Sequence, residues 1–261
     1  MTIRYALTQQ ELADYNRDGF LIRHNVFSPQ EVVELQRSAE EAVEVAFNRS
    51  LNGNTYILDG KRFVDSEYLT VQFEHDEGSE TIRVIEPVHE LATGLDALLD
   101  DPRISDPMRD LVGSEDLALW TAKLNLKRPK EGSGFGWHQD SPYWIHDCNH
   151  IDQLPNVLLT FDDANESNGC LRVIQGSHKN GCLAGTTDGS QLGGFFTDPS
   201  AFEEEKQVAM EAEAGSLVFF SQHAIHGSQP NLSDNPRRAI IMTYQPAGFA
   251  ALKSKQVRAI A

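Results

Sequence analysis

Basic residues, cysteines and long apolar runs are all scarce in this 261-residue chain, and each scarcity removes a class of function. Only 22 lysines and arginines stand against 39 acidic residues, a formal charge of −17. Nucleic acids and anionic membranes need clustered positive charge, so neither is expected as a partner. The three cysteines, Cys148, Cys170 and Cys182, cannot all pair and show no zinc or redox spacing. They point to a reducing, cytoplasmic setting. No apolar run reaches the roughly 18 residues of a membrane span, and Met1-Thr2-Ile3-Arg4-Tyr5 has no apolar signal core. What remains, 40% hydrophobic and 23% charged, is ordinary for a soluble globular chain. Its oligomeric state is left open.

Local patterns divide the chain into a helical front and a β-rich remainder. Thr8-Gln9-Gln10-Glu11 is a capping box and predicts a helix to about Arg17. Ser28-Pro29-Gln30-Glu31 opens a second, with apolar residues at helical spacing to about Phe47. Helices are also expected at 89–99 and 105–112, interrupted by Asp100-Asp101-Pro102. Residues 48–80 are weakly patterned, with 69–73 the best strand candidate. After Gly113, strands are expected at 117–127, 156–161, 170–174, 207–211, 216–220 and 238–244, parted by Gly and Pro turns. The expectation is one mainly β domain with flanking helices over residues 1–261. Its core is a double-stranded β-helix (jelly roll) at about 115–246, beneath an N-terminal helical layer. Residues 45–80 and the glycine-rich 179–206 are lid candidates.

The chemistry centres on His138-Gln139-Asp140 and on His226 in Ala224-Ile225-His226-Gly227-Ser228. Two imidazoles and one carboxylate form the ligand set of a mononuclear non-heme Fe(II) site with open positions. Residues i and i+2 share a side of an extended chain, so His138 and Asp140 can reach one ion. A lone His-x-Asp is an ordinary surface triplet; the context gives it weight. Arg237 lies eleven residues beyond His226, across a turn at 231–235, where a hairpin can return its guanidinium toward the metal. Strand alternation lets only one of Arg237 and Arg238 face the pocket. Trp137, Tyr143 and Trp144 crowd the motif as candidate substrate contacts. Gln139 is another, although a regular strand would turn it to the opposite face. His178 reads as structural, His223 as a structural or surface residue, His146 and His150 as exposed loop residues, and Cys170 as a small buried hydrophobe.

Several short words stand in a telling order: Asp18-Gly19-Phe20, Trp137-His138-Gln139-Asp140, Asn168-Gly169-Cys170-Leu171, Gly176-Ser177-His178-Lys179, His226-Gly227-Ser228 and Arg237-Arg238-Ala239. Over about residues 18–239 the chain resembles the phytanoyl-CoA dioxygenase family of Fe(II)/2-oxoglutarate-dependent oxygenases. The resemblance implies His138, Asp140 and His226 as Fe(II) ligands. It implies Arg237, assisted by Ser228, as the clamp on the distal carboxylate of 2-oxoglutarate. Asn125, Lys127 and Thr160, on strands expected to line the barrel, are further candidate cofactor contacts. The implied activity uses O2, releases succinate and CO2, and hydroxylates or otherwise oxidises a C–H bond of a small organic metabolite. Asp140 stands where halogenating members carry a small residue, which favours hydroxylation. Two readings remain beside it: a metal-dependent oxygenase or hydrolase that does not use 2-oxoglutarate, and a silent jelly-roll binding protein. Arg237 and Ser228 would have no evident task in the first.

Overall fold

Two capped helices lead the chain in a computed structural model that describes residues 5–187 and 189–261. The Thr8 hydroxyl accepts from Glu11 N while the Glu11 carboxylate accepts from Thr8 N, which starts α1 (Gln9–Asp18). Gly19, at φ 87°, ends it and feeds β1 (Phe20–Arg23). Ser28 and Glu31 repeat the capping box for α2 (Pro29–Ser50).

The lid candidate at 45–80 is regular structure. Its first residues complete α2, and the rest is a meander of β2 (Asn54–Leu58), β3 (Lys61–Ser66) and β4 (Leu69–Phe73), continued by β5 (Ile82–Glu86). Asp59 and Gly60 turn the first hairpin with φ of 48° and 74°, the positive values of a two-residue turn. The helix expected at 89–99 breaks at Ala92, which is extended (φ −149°, ψ 131°). A 3-10 turn precedes it and α3 (Thr93–Ala97) follows. Asp101 then caps α4 (Pro102–Val112), three residues earlier than the sequence pattern suggested.

The β-rich remainder supplies β6 (Leu117–Lys127), β7 (Phe135–His138), a single turn α5 (Ser141–Trp144), β8 (Asn156–Thr160) and β9 (Arg172–Ile174). It ends with β10 (Gln207–Ala209), β11 (Leu217–Phe220), β12 (His226–Ser228) and β13 (Arg237–Pro246). One sheet runs β1-β11-β8-β13-β6-β5-β4-β3-β2, and the facing one β10-β9-β12-β7. The named pairings are antiparallel, the double-sheet arrangement of a jelly roll.

Alternation along β13 decides what the site can contain. Ile240, Met242 and Tyr244 face the helical layer and join the main apolar core, while Ala239 and Ile241 point between the sheets. On β6 the same rule sends Leu124 and Leu126 outward, leaving Lys123 and Asn125 on the inner face. Each fully buried Leu, Ile or Phe contributes roughly 1.5–3 kcal/mol, so the register of these strands is firmly held. Among the described residues no helix is long and apolar enough to cross a membrane.

Candidate active site

His138 and His226 meet because they are directly opposed residues of the antiparallel β7–β12 pair. Their ring centroids lie 4.2 Å apart. Asp140 arrives differently from the sequence expectation. β7 stops at His138, and Asp140 is helical (φ −77°, ψ −31°) at the head of α5. The backbone N–H groups of Asp140 and Ser141 both donate to Gln222 O at 3.1 Å, which anchors this turn. A helix-leading Asp ordinarily accepts from a backbone N–H two or three residues ahead of it; this one makes no such bond. Its Oδ2 instead accepts from Asn156 Nδ2 at 2.8 Å and lies 3.8 Å from His226 Nε2.

Donor atoms of the three side chains fall within 4.8 Å of one another. That is close to the roughly 3–4 Å between donors sharing one ion at bonds of about 2.1 Å. The hydrogen bonding fits a metal. His138 Nδ1 lies 2.7 Å from Gly136 O and His226 Nδ1 2.9 Å from Ala224 O. A carbonyl only accepts, so each Nδ1 carries the proton and each Nε2 keeps its lone pair for an ion. Burial, then the neighbouring His226, hold His138 down to about 3, so it is neutral. Burial opposes ionisation of Asp140, yet His226, Lys123, His138 and the Asn156 amide together keep its carboxyl below the ordinary value.

These three residues share a cavity of about 250 Å³ with Asn125, Tyr143, Ser228 and Arg237. Arg237 is 4% exposed and donates from Nε and Nη2 to Gly169 O at 3.2 and 2.8 Å. Gly169 has φ +76°, and a Cβ there would sit 2.3 Å from Gln229 O, so glycine is required for that cradle. Burial draws the guanidinium down to about 10, which leaves it charged at neutral pH. Its neighbour Arg238 faces the other way, bound to Asp162 at 2.7 Å and Glu40 at 2.9 Å on the helical side. Alternation thus settles which arginine enters the cavity.

Other expected contacts fall elsewhere. The Trp137 indole N–H donates to Glu204 at 3.3 Å and its ring packs on Phe202, on the face of β7 away from the cavity. Trp144 is buried with Trp120 and Leu154 in a separate apolar cluster. The Gln139 amide donates to Gly181 O and His223 O and accepts from Leu183 N, tying the turn after β7 to the 179–206 segment. The Thr160 hydroxyl is spent on Glu213 O and Ser216 O. None of these four lines the cavity. Lys127 stands behind the wall, where its side-chain nitrogen donates to Ser228 Oγ at 2.8 Å and to Gln229 O. Burial, then Arg237 and Arg83, push it down to about 6.

His223 is buried between Ser141 Oγ and Asp152, each at 2.9 Å, as a structural residue should be. His150 was expected in an exposed loop; it stacks on Phe249 and bonds Gln245 at 2.9 Å. The 45–80 segment, expected at the site as a lid candidate, supplies Lys61, Phe63, Thr70 and Gln72 to the cavity wall, and β5 adds Arg83 and Glu86; the weak patterning of 48–80 hides that this wall is a meander. Asp59-Gly60 between Leu58 and Lys61 was the signal that could have revealed it. From 179–206 come Leu192 and Phe196, the latter bridged to His138.

The phytanoyl-CoA dioxygenase (PhyH) family profile matches residues 15–239. Ectoine dioxygenase of Bordetella bronchiseptica is 30% identical over 259 residues, 92% of this chain and 75% of that protein. A phytanoyl-CoA dioxygenase domain-containing protein 1 homolog of Caenorhabditis elegans is 26% identical, covering 86% of each. Among solved structures, EctD from S. alaskensis with 2-oxoglutarate and 5-hydroxyectoine superposes with a TM-score of 0.71 at 22% identity, over 95% of this chain and 78% of that one. The carbocyclase SnoK from nogalamycin biosynthesis follows at 0.67 and 19%, over 95% and 87%. The profile match spans both histidines, the aspartate and the cavity arginine, and the chain belongs to the phytanoyl-CoA dioxygenase family.

Proposed function

We propose that this chain is an Fe(II)- and 2-oxoglutarate-dependent dioxygenase that hydroxylates a C–H bond of a small organic metabolite. The observation that carries it is Arg237. Among the described residues this buried guanidinium has no carboxylate partner, and it opens on the same cavity as two imidazoles and an aspartate. A buried cation left without an anion is costly unless a ligand brings one. A metal-dependent hydrolase would leave that charge without a task.

When bound, Fe(II) and 2-oxoglutarate supply an oxidation in which O2 is consumed, succinate and CO2 leave, and one oxygen atom enters the substrate. The chain's residues prepare for it. His138, Asp140 and His226 would hold the metal, with Asn156 steadying the Asp140 carboxylate. Arg237 and the Ser228 hydroxyl receive the distal carboxylate, a charge-assisted pairing, and Lys127 holds that hydroxyl in place. Leu158, Leu171, Ile241 and Phe196 form apolar wall that excludes water from the reacting centre. The cofactor carries the hard chemistry; the protein binds, orients and shields.

The test is aerobic turnover with Fe(II) and 2-oxoglutarate, followed by succinate release. Succinate is expected to form only with both present, and to be lost when a chelator removes the iron. Succinate formation that is indifferent to iron, or none at all, would contradict the proposal.

A further inference from the structure

The co-substrate accounts for one half of the cavity. The other half is walled by the β3–β5 meander. Register places Phe63, Gln72, Val84 and Asn125 in one cross-strand row, so Lys61, two residues before Phe63, projects on the same face. Arg83 would point to the helix-packed face if β5 were regular. It does not, because Gln72 pairs with Val84 and Phe73 with Ile82, leaving Arg83 as the extra residue of a β-bulge. Bulges beside active sites re-aim side chains in this way. The guanidinium sits 4.0 Å from the Phe135 ring centroid and donates to Gly134 O at 3.0 Å.

Arg83 lines the cavity at 2% exposure, and its buried Nε–H has no hydrogen-bond partner among the described residues. Lys61 Nζ lies 4.9 Å from the Phe196 ring centroid. Among the described residues, neither that ammonium nor the Gln72 amide has a hydrogen-bond or ion-pair partner. Charge tells the same story. Four cations, Lys61, Arg83, Lys123 and Arg237, line the cavity against two carboxylates, Glu86 and Asp140. Fe(II) and a dianionic co-substrate cancel, so the loaded site keeps that positive surplus within a chain of charge −17. Burial, then Arg83, lower the Lys61 pKa, so an anion between the two relieves a repulsion.

We propose, resting on the 2-oxoglutarate reading of the site, that the substrate is a small organic acid whose carboxylate docks among Lys61, Gln72 and Arg83. Two carboxylate oxygens suit an ammonium, an amide and one free guanidinium N–H. Ligand pockets usually span about 300–1,000 Å³. This cavity, about 250 Å³, must hold co-substrate and substrate together, so the acid is small.

The test uses the anaerobic protein loaded with Fe(II) and 2-oxoglutarate, and a fixed panel of short straight-chain and phenyl-substituted carboxylic acids. Each acid is paired with its primary amide and a matched phosphate monoester. Binding is read by thermal stabilisation and by perturbation of the visible absorption band of the loaded site. At least one acid is expected to bind about tenfold tighter than its amide, the worth of one charge-assisted contact. Lys61→Gln and Arg83→Lys should each weaken that acid about tenfold while leaving 2-oxoglutarate affinity unchanged. Lys61→Gln carries the test alone if Arg83→Lys does not fold, since Lys61 has no hydrogen bond to lose. Three results would overturn the inference and leave the 2-oxoglutarate reading standing: amides matching acids throughout the panel, phosphate esters binding tighter, or Lys61→Gln weakening acid and 2-oxoglutarate equally. Failure of 2-oxoglutarate to produce the band would overturn that reading, and this inference with it.

Discussion

The two halves of the cavity differ in how their polar groups are held. On the jelly-roll half, His138 and His226 donate to carbonyls, Asp140 accepts from Asn156, Arg237 grips Gly169 O, and Lys127 grips Ser228. On the meander half, Arg83 also grips Gly134 O, Thr70 donates to Asp65 and Glu86 accepts from Thr121, but the Lys61 ammonium, the Gln72 amide and the Arg83 Nε–H have no such partner among the described residues. A group locked by the protein is oriented before its ligand arrives, which suits a metal and a co-substrate used in every turnover. A group left unpaired has its stabilisation still to come, from whatever enters last. The contrast separates the invariant part of the chemistry from the part that selects a substrate.

Removing a metal ligand should break the locked half altogether. His226→Ala is expected to weaken Fe(II) by more than about 100-fold, beyond the 10–100-fold cost of losing an outer partner. Equilibrium metal binding measures it, and near-normal affinity would remove His226 from the ligand set. Arg237→Ala should weaken 2-oxoglutarate by about 1.5–3 kcal/mol, roughly 10–100-fold, with Fe(II) affinity held. Arg238→Ala is the control: it should lower stability through Asp162 and Glu40 and leave 2-oxoglutarate binding alone. Asn156→Ala frees the Asp140 carboxylate and should cost about tenfold in metal affinity.

The smallest effect concerns pH. Lys127, at about 6, is mostly uncharged at neutral pH until a carboxylate favours its ammonium. Binding of 2-oxoglutarate therefore takes up a proton, and its affinity is greatest below about pH 6 and declines as pH rises above that. Lys127→Met should flatten the slope; an unchanged slope would detach Lys127 from the co-substrate. The same depression favours the free amine in the folded protein. Its contribution to stability is full above the ordinary lysine value of 10.5 and is lost as pH falls through about 6.

Legibility in the sequence followed the same divide. The locked half is written in short backbone spacings: His-x-Asp, and Arg237 eleven residues after His226, with alternation admitting only one of Arg237 and Arg238 and the family resemblance pointing to Arg237. Strands such as β6 and β13 announced themselves through apolar runs whose two faces both meet packing. Asp140 was legible as a ligand but not in its conformation, since nothing in the triplet shows that β7 ends one residue after Trp137. The placements of Trp137 and Trp144 depended on partners far along the chain, Phe202 and Trp120, which local pattern does not contain. Arg83 was the least readable. Its direction is set by a register shift between β4 and β5, a property of the pairing that neither strand carries alone.

The most direct measurement is an anaerobic titration of the protein with Fe(II) and 2-oxoglutarate, monitored by visible absorption. A weak charge-transfer band is expected that requires both components, vanishes in His226→Ala, and needs roughly 10–100-fold more 2-oxoglutarate in Arg237→Ala. No band from the intact protein, or one that saturates at the same 2-oxoglutarate concentration in Arg237→Ala, would contradict this expectation.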